Sequence, residues 1–242
     1  MKKCSILGVN IAVTNMDDTV NYIEENLNEL KGNYICVSNV HTTVISYEDD
    51  EYKKIQNEGA LALPDGGPLS YVSRKRGFKE AKRVTGPDLM GRIFSISEKK
   101  GYTHFFYGST PEVLSELRIN LKKKYPKLNI VGMYSPPFKK EVSIERETIL
   151  NDFEDCDFLW VGLGAPKQEK WMNLHRGKVN SIMIGVGAGF DYYAERIQRA
   201  PKWMQDNNLE WLYRLIQDPR RLFKRYFVTN FKFIKNAIIL KK

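Results

Sequence analysis

Short apolar runs alternate along this chain with longer stretches in which apolar positions recur every third or fourth residue. The run Ile6 to Val13 predicts a strand. Met16 to Leu30 then predicts an amphipathic helix with Val20, Ile23, Leu27 and Leu30 on one face. Tyr34 to Val37 reads as a second strand, Thr42 to Asn57 as a helix and Ala60 to Leu63 as a third strand. Pro68 to Arg76 and Pro87 to Lys100 follow as helices, the second with proline in the first turn, where it is tolerated. The alternation continues with strands at Thr103–Tyr107, Ile130–Tyr134, Phe158–Val161 and Ser181–Val186. Helices at Glu112–Lys124, Ile144–Phe153 and Pro166–Leu174 lie between them. Strands interleaved with helices at this spacing predict an α/β fold, a Rossmann-like, mostly parallel sheet with helices on both faces.

After Gly189 the pattern changes, which divides the chain into an α/β catalytic domain over 1–194 and a C-terminal helical appendage over 195–242. Arg199 to Leu240 reads as helices punctuated by Pro201 and Pro219. Phe223, Phe227, Phe231, Ile234 and Ile238 fall on one helical stripe, with Lys224, Arg225, Lys232 and Lys235 off it. Such a stripe either packs on a core or lies on an anionic membrane surface. Charge favours the second. The net charge is +9, and the cations beyond Trp211 are opposed only by Asp218. A dimer that covers the same apolar face is the other arrangement this pattern allows. No apolar stretch is long enough to cross a bilayer, and the N-terminus lacks the pattern of a secretory leader. Cys4, Cys36 and Cys156 form neither a disulfide framework nor a metal spacing. With His41, His104 and His175 dispersed, no metal site is expected and the cytoplasm is the expected compartment.

The candidate chemistry starts between Leu63 and Asp88. There Pro64-Asp65-Gly66 ends one strand, and Arg83-Val84-Thr85-Gly86-Pro87-Asp88 opens a later helix. Proline and glycine present Asp65, Arg83 and Asp88 on turns. Three more loops follow predicted strands: Tyr107-Gly108-Ser109-Thr110, Gly162 to Glu169, and Gly185 to Asp191. In an open parallel sheet such loops border the ligand crevice, where helix N-termini offer amides to anions. Gly108, Gly162 and Gly187 therefore mark a nucleotide or phosphate pocket. No Gly-Lys-Ser/Thr closes any of these loops, and Asp191 follows its glycines too soon for a dinucleotide fingerprint. That disfavours a nicotinamide-dependent dehydrogenase.

Taken in order, Asn39, Pro64-Asp65-Gly66, Arg83 to Leu89, Gly162 to Trp171, Gly185 to Asp191, Arg199-Ala200-Pro201 and Leu209 to Arg214 resemble the bacterial WecG/TagA/CpsF glycosyltransferases over nearly the whole chain. The resemblance implies an inverting, metal-independent transfer of a sugar, N-acetylmannosamine first, from a UDP-sugar to a polyprenyl-diphosphate-linked saccharide. Such a step belongs to teichoic acid, capsule or exopolysaccharide synthesis. It also implies a peripheral protein on the inner face of the cell membrane, docked by its C-terminal segment. Residue by residue, Asp65 matches the family's base and Arg83 its active-site arginine. Arg214 and Arg221 match the appendage arginines that approach the site, and Asp191 the acid that contacts uracil. Asn39 and Gln168, two-way hydrogen-bonders, suit sugar hydroxyls.

Bland roles stand beside these. Asp88 reads as a helix-end carboxylate outside catalysis, and Glu169 as a first-turn acid favoured by the helix dipole. His41 is a loop residue, a substrate contact or a second base. Trp171, Trp203 and Trp211 read as packing rather than sugar platforms. Val37 stands where the teichoic-acid branch usually has threonine, which leaves another UDP-hexose or UDP-uronic acid as an alternative donor. A non-catalytic nucleotide- or nucleic-acid-binding protein is the rival from another class, although no nucleic-acid motif is recognised.

Overall fold

The computed structural model describes residues 1–137 and 156–240, apart from the side chain of Arg221. The helix expected over Ile144–Phe153 lies outside the described residues. One eight-stranded sheet runs through the molecule in the order β1-β2-β4-β3-β8-β7-β5-β6. Its strands are β1 (Lys3–Ile6), β2 (Val9–Ala12), β3 (Tyr34–Ser38), β4 (Leu61–Pro64), β5 (Thr103–Gly108), β6 (Asn129–Tyr134), β7 (Phe158–Gly162) and β8 (Ile182–Gly185). Every neighbouring pair is parallel except β1 with β2.

That exception corrects the single strand expected over Ile6–Val13. Leu7 and Gly8 both take positive φ, 51° and 83°, the backbone of a tight hairpin turn. The chain therefore folds back on itself and forms an antiparallel edge.

The helices are α1 (Met16–Glu25), α2 (Leu27–Leu30), α3 (Val40–Glu48), α4 (Asp50–Glu58), α5 (Gly67–Lys75), α6 (Gly86–Lys100), α7 (Pro111–Lys124), α8 (Lys167–Leu174) and α9 (Gly189–Tyr193). Two of the expected helices are broken in two. Asn26 interrupts the first, and Asp49 interrupts the second by capping α4 through the Tyr52 N–H at 3.0 Å. Asx side chains compete with the helical backbone in this way.

Alternation along the strands builds the core. Ile35, Val37, Leu61, Leu63, Phe106, Phe158, Trp160, Ile182 and Ile184 face one side, with α1, α6 and α7 over them. Tyr34, Cys36, Phe105, Tyr107, Leu159, Val161 and Met183 face the other, under α8. At the β1–β2 end of that second side, Ile6, Ile11 and Ala62 pack with α3, α5 and the C-terminal segment. All three cysteines are buried thiols.

The C-terminal segment holds α10 (Lys202–Asp206), α11 (Glu210–Gln217), α12 (Pro219–Phe233) and a π-helical end, Ile234–Ile239. Its inward face is Leu222, Thr229, Phe233 and Ala237, all buried. The predicted stripe turns outward: Phe223, Phe227 and Phe231 are 61%, 67% and 66% exposed, and Ile234 and Ile238 are exposed beside them. No helix among the described residues is long and apolar enough to cross a membrane.

Phe94 on α6 is the hub of the larger core. Its ring lies within 6.0 Å of those of His104, Phe106, Tyr125, Trp160 and Tyr193. Phe94→Ala should therefore cost about 3–5 kcal/mol and lower the melting temperature by on the order of 10 °C. Thermal unfolding followed by circular dichroism measures this, and an unchanged melt would remove Phe94 from that role.

Candidate active site

Asp65 leaves the carboxyl end of β4. Its N–H donates to the Ser38 carbonyl at 2.7 Å and to the Leu63 carbonyl at 3.1 Å. Gly66 follows at φ 90°, a conformation that side-chain-bearing residues rarely adopt, and swings the chain into α5. The carboxylate thus projects from a fixed turn at the strand end. The segment carrying Arg83 runs alongside, pinned by the Val84 N–H to the Pro64 carbonyl at 2.8 Å. The third wall comes from the C-terminal segment. Asn208 lies so close over Gly67 that a Cβ there would sit 2.4 Å from its amide carbon.

Charges alternate through this wall. Arg83 pairs with Glu210 at 3.3 Å, and the other Glu210 oxygen lies 3.5 Å from Arg199. Arg199 grips Asp88 through two nitrogens, and Thr85 donates to Asp88 at 2.6 Å. Burial raises the Asp88 carboxyl, but hydrogen bonds from Arg199 and Thr85 outweigh it and hold the group below its usual range. This is the structural role expected of Asp88. Arg199 is held fully charged, since the Asp88 carboxylate outweighs the cost of burial.

Asp65 behaves in the opposite way. Burial comes first, then the Glu210 charge and, more weakly, that of Asp88. Together they exceed the pull of Arg83 and Arg214 and push Asp65 up from 3.8 to about 7. A carboxyl with that value takes and releases protons near neutrality.

On the other half of the sheet, Gly108 and Gly162 are opposite one another at the ends of β5 and β7. The chain leaves β5 outward to β6 and leaves β7 inward to β8, so the crevice between them is a topological switch point. Gly108, at φ 121°, approaches so closely that a Cβ would lie 2.7 Å from the Gly162 carbonyl. Gly187 donates its N–H at 3.0 Å to Gln168, which also accepts from the Gly164 N–H at 3.2 Å. Gln168 donates in turn to Glu169 at 2.8 Å. Its side chain, 4% exposed, is a staple between two loops, with most of its hydrogen-bonding capacity used inside the protein.

Glu169 lies in the first turn of α8, as expected. It is fully buried, burial raises its carboxyl, and the Tyr52 hydroxyl lies against it. From Tyr52 a hydrogen-bonded line runs through Gln56 at 2.9 Å to Ser38 at 2.6 Å. It therefore joins the loop staple to the carbonyl that holds Asp65.

The remaining candidates divide. Asn39 caps α3, accepting from the N–H groups of His41 at 3.0 Å and Thr42 at 3.2 Å. It has only its amide donors to offer a ligand. Burial, and then the charge of Arg225, hold the His41 imidazole below its usual range. Asp191 sits in the first turn of α9, and its carbonyl accepts from the Arg196 N–H at 2.9 Å. Arg214 reaches the Asp65 side, with its guanidinium 5.7 Å from the Tyr192 ring centre. Arg221 lies on α12, and its side chain is outside the described residues.

Trp171 is core packing, stacked 4.3 Å from Tyr107 and 4.0 Å from His175. Trp203 departs from the packing expectation. It is 61% exposed on a five-residue helix that buries only Met204. Glu210, Arg199 and Tyr192 had no assigned role. Their partners lie far along the chain, 127 residues in the case of Arg83 and Glu210, and no local spacing signals such a pairing.

Comparisons with known proteins bear on the family. The family model described as glycosyl transferase WecG/TagA/CpsF family matches residues 4–242. A relative named N-acetylglucosaminyldiphosphoundecaprenol N-acetyl-beta-D-mannosaminyltransferase, from Bacillus subtilis (strain 168), is 29% identical over 210 residues, 86% of this chain and 81% of that protein. The protein of the same name from Staphylococcus aureus (strain MW2) is 26% identical over 225 residues, 91% and 87% of the two chains. With that match running through both halves of the sheet and the C-terminal helices that close on Asp65, the chain belongs to the WecG/TagA/CpsF family of glycosyltransferases.

Proposed function

We propose that this protein transfers a sugar, with inversion, from a UDP-sugar to a polyprenyl-diphosphate-linked saccharide, and that Asp65 is the base. N-acetylmannosamine is the donor sugar favoured by the relatives' names. The observation that carries the reading is the Asp65 carboxyl, placed on a strand-end turn beside Arg83 and pushed up to about 7. In an inverting transfer one base removes the acceptor hydroxyl's proton while the leaving group departs on the opposite face. Asp65 takes that proton. Charge developing on the leaving diphosphate is met by Arg83 and Arg214, without a metal, in a wall largely shielded from water. The crevice at Gly108 and Gly162 takes the nucleotide, and Asp191 accepts from the uracil N–H.

The outward stripe of α12 supplies the route to a lipid-linked acceptor. Phe223, Phe227 and Phe231 point away from the core, with exposed Lys224 and Lys235 beside them. An apolar face flanked by cations lies flat on an anionic bilayer.

Asp65→Asn should lower kcat by about 10²–10⁴-fold and leave UDP binding by calorimetry within a few-fold of the parent. Transfer at the parental rate would remove Asp65 as base.

The raised carboxyl sets two pH effects. Activity should rise with a midpoint near 7 as Asp65 loses its proton. Stability moves the other way. The folded state holds this proton more tightly than the unfolded chain, so Asp65 lowers stability as pH climbs from about 4 to about 7, and the loss levels off above that. Asp65→Asn should then melt higher than the parent at pH 8, with the gap closing by pH 4. A gap that widens on acidification would contradict the assignment.

For the tail, Phe227→Asp combined with Phe231→Asp should abolish co-sedimentation with phosphatidylglycerol-containing vesicles without lowering the melting temperature. Undiminished binding would exclude this face as the docking surface.

A further inference from the structure

We propose that Tyr192 is a positioning residue, the aromatic pillar that holds Arg214 beside Asp65. The inference rests on the reading of Asp65 as base and adds what tunes it. Two guanidiniums share the Tyr192 ring, with Arg199 5.8 Å and Arg214 5.7 Å from its centre, inside the range of a cation–π contact.

The two cations are held very differently. Arg199 is fixed by Asp88 and Glu210. Arg214 has no ion pair among the described residues, so the ring face is its anchor. Placement on α11 explains the pairing. Glu210 and Arg214 are one helical turn apart on the same face, so docking Glu210 onto Arg83 and Arg199 delivers Arg214 to Tyr192.

The electrostatics fit. Burial first of all pushes the Tyr192 phenol up to about 12, so the ring stays neutral and presents its face to both cations. The groups around Tyr192 are Arg214, Glu210, Arg199 and Asp65, and those around Asp65 are Glu210, Arg83, Arg214 and Asp88. Of the two cations that favour ionised Asp65, Arg83 comes from the segment beside β4, and Arg214 depends on the pillar.

The test measures the Asp65 carboxyl directly. Protein labelled with ¹³C at the aspartate carboxyls is titrated by NMR, and the Asp65 signal is assigned by its loss in Asp65→Asn. Tyr192→Leu, which keeps apolar volume and removes the π face, should move the midpoint up by roughly 1 pH unit, the scale expected when one nearby cation is lost. Tyr192→Phe should restore the parental midpoint. Arg214→Ala should produce the same rise, and Arg214→Ala with Tyr192→Leu no further one. Tyr192→Met serves in place of Tyr192→Leu if that variant does not fold.

A parental midpoint in Tyr192→Leu alongside a raised one in Arg214→Ala would overturn the proposal. So would additive rises in the double variant. Failure of the base reading looks different: the NMR midpoint would shift while the pH midpoint of sugar transfer stayed where it was.

Discussion

The Glu210 carboxylate is the interaction on which the rest of the site depends. It reaches from a helix near the C-terminus into a wall built by a much earlier part of the chain, and it engages Arg83 with one oxygen and Arg199 with the other. Both arginines and Glu210 are largely removed from water, where a paired charge is tolerated and an unpaired one is costly. The same carboxylate works against a second negative charge on Asp65. One group thus secures the C-terminal helices and adds to burial in raising the proton affinity of the residue they close over.

The sheet provides the other half of the design. Parallel strands bring all their carboxyl ends to one edge, so loops separated by long stretches of sequence become neighbours. Gly108 and Gly162 meet there because neither carries a side chain to hold the strands apart. Gln168 ties the loop after β7 to the loop after β8 through two backbone N–H groups. Behind it, the buried line from Glu169 through Tyr52 and Gln56 to Ser38 carries that order across to the turn of Asp65. A network buried in this way ties the two halves of the crevice together. The C-terminal segment is built on a different plan, with one face in the core and an aromatic face left in water.

Several parts of this were legible in the residues alone. Alternation of apolar runs with helical periodicity is a local property, and it located the strands and the order of the elements. The turns were legible where proline and glycine fix the backbone, as at Pro64-Asp65-Gly66. The hairpin at Leu7–Gly8 was hidden because its strands are short and its turn begins with leucine, an unusual residue at positive φ. The breaks at Asn26, whose side chain turns back to the Tyr22 carbonyl, and at Asp49, which caps α4, were hidden because neither changes the apolar period.

By itself the sequence determined the α/β class, the motif order that marks the glycosyltransferase family, and Asp65 and Arg83 as the groups to examine. Only the tertiary structure decided what surrounds them. Glu210 on Arg83, Arg199 on Asp88, Arg214 on Tyr192 and Gln168 between two loops are contacts between residues brought together by folding. The direction of the aromatic stripe was likewise settled by which side of α12 the core accepts, Leu222, Thr229 and Phe233. Periodicity shows that a helix has two faces. Which of them is buried depends on what the rest of the fold places against it.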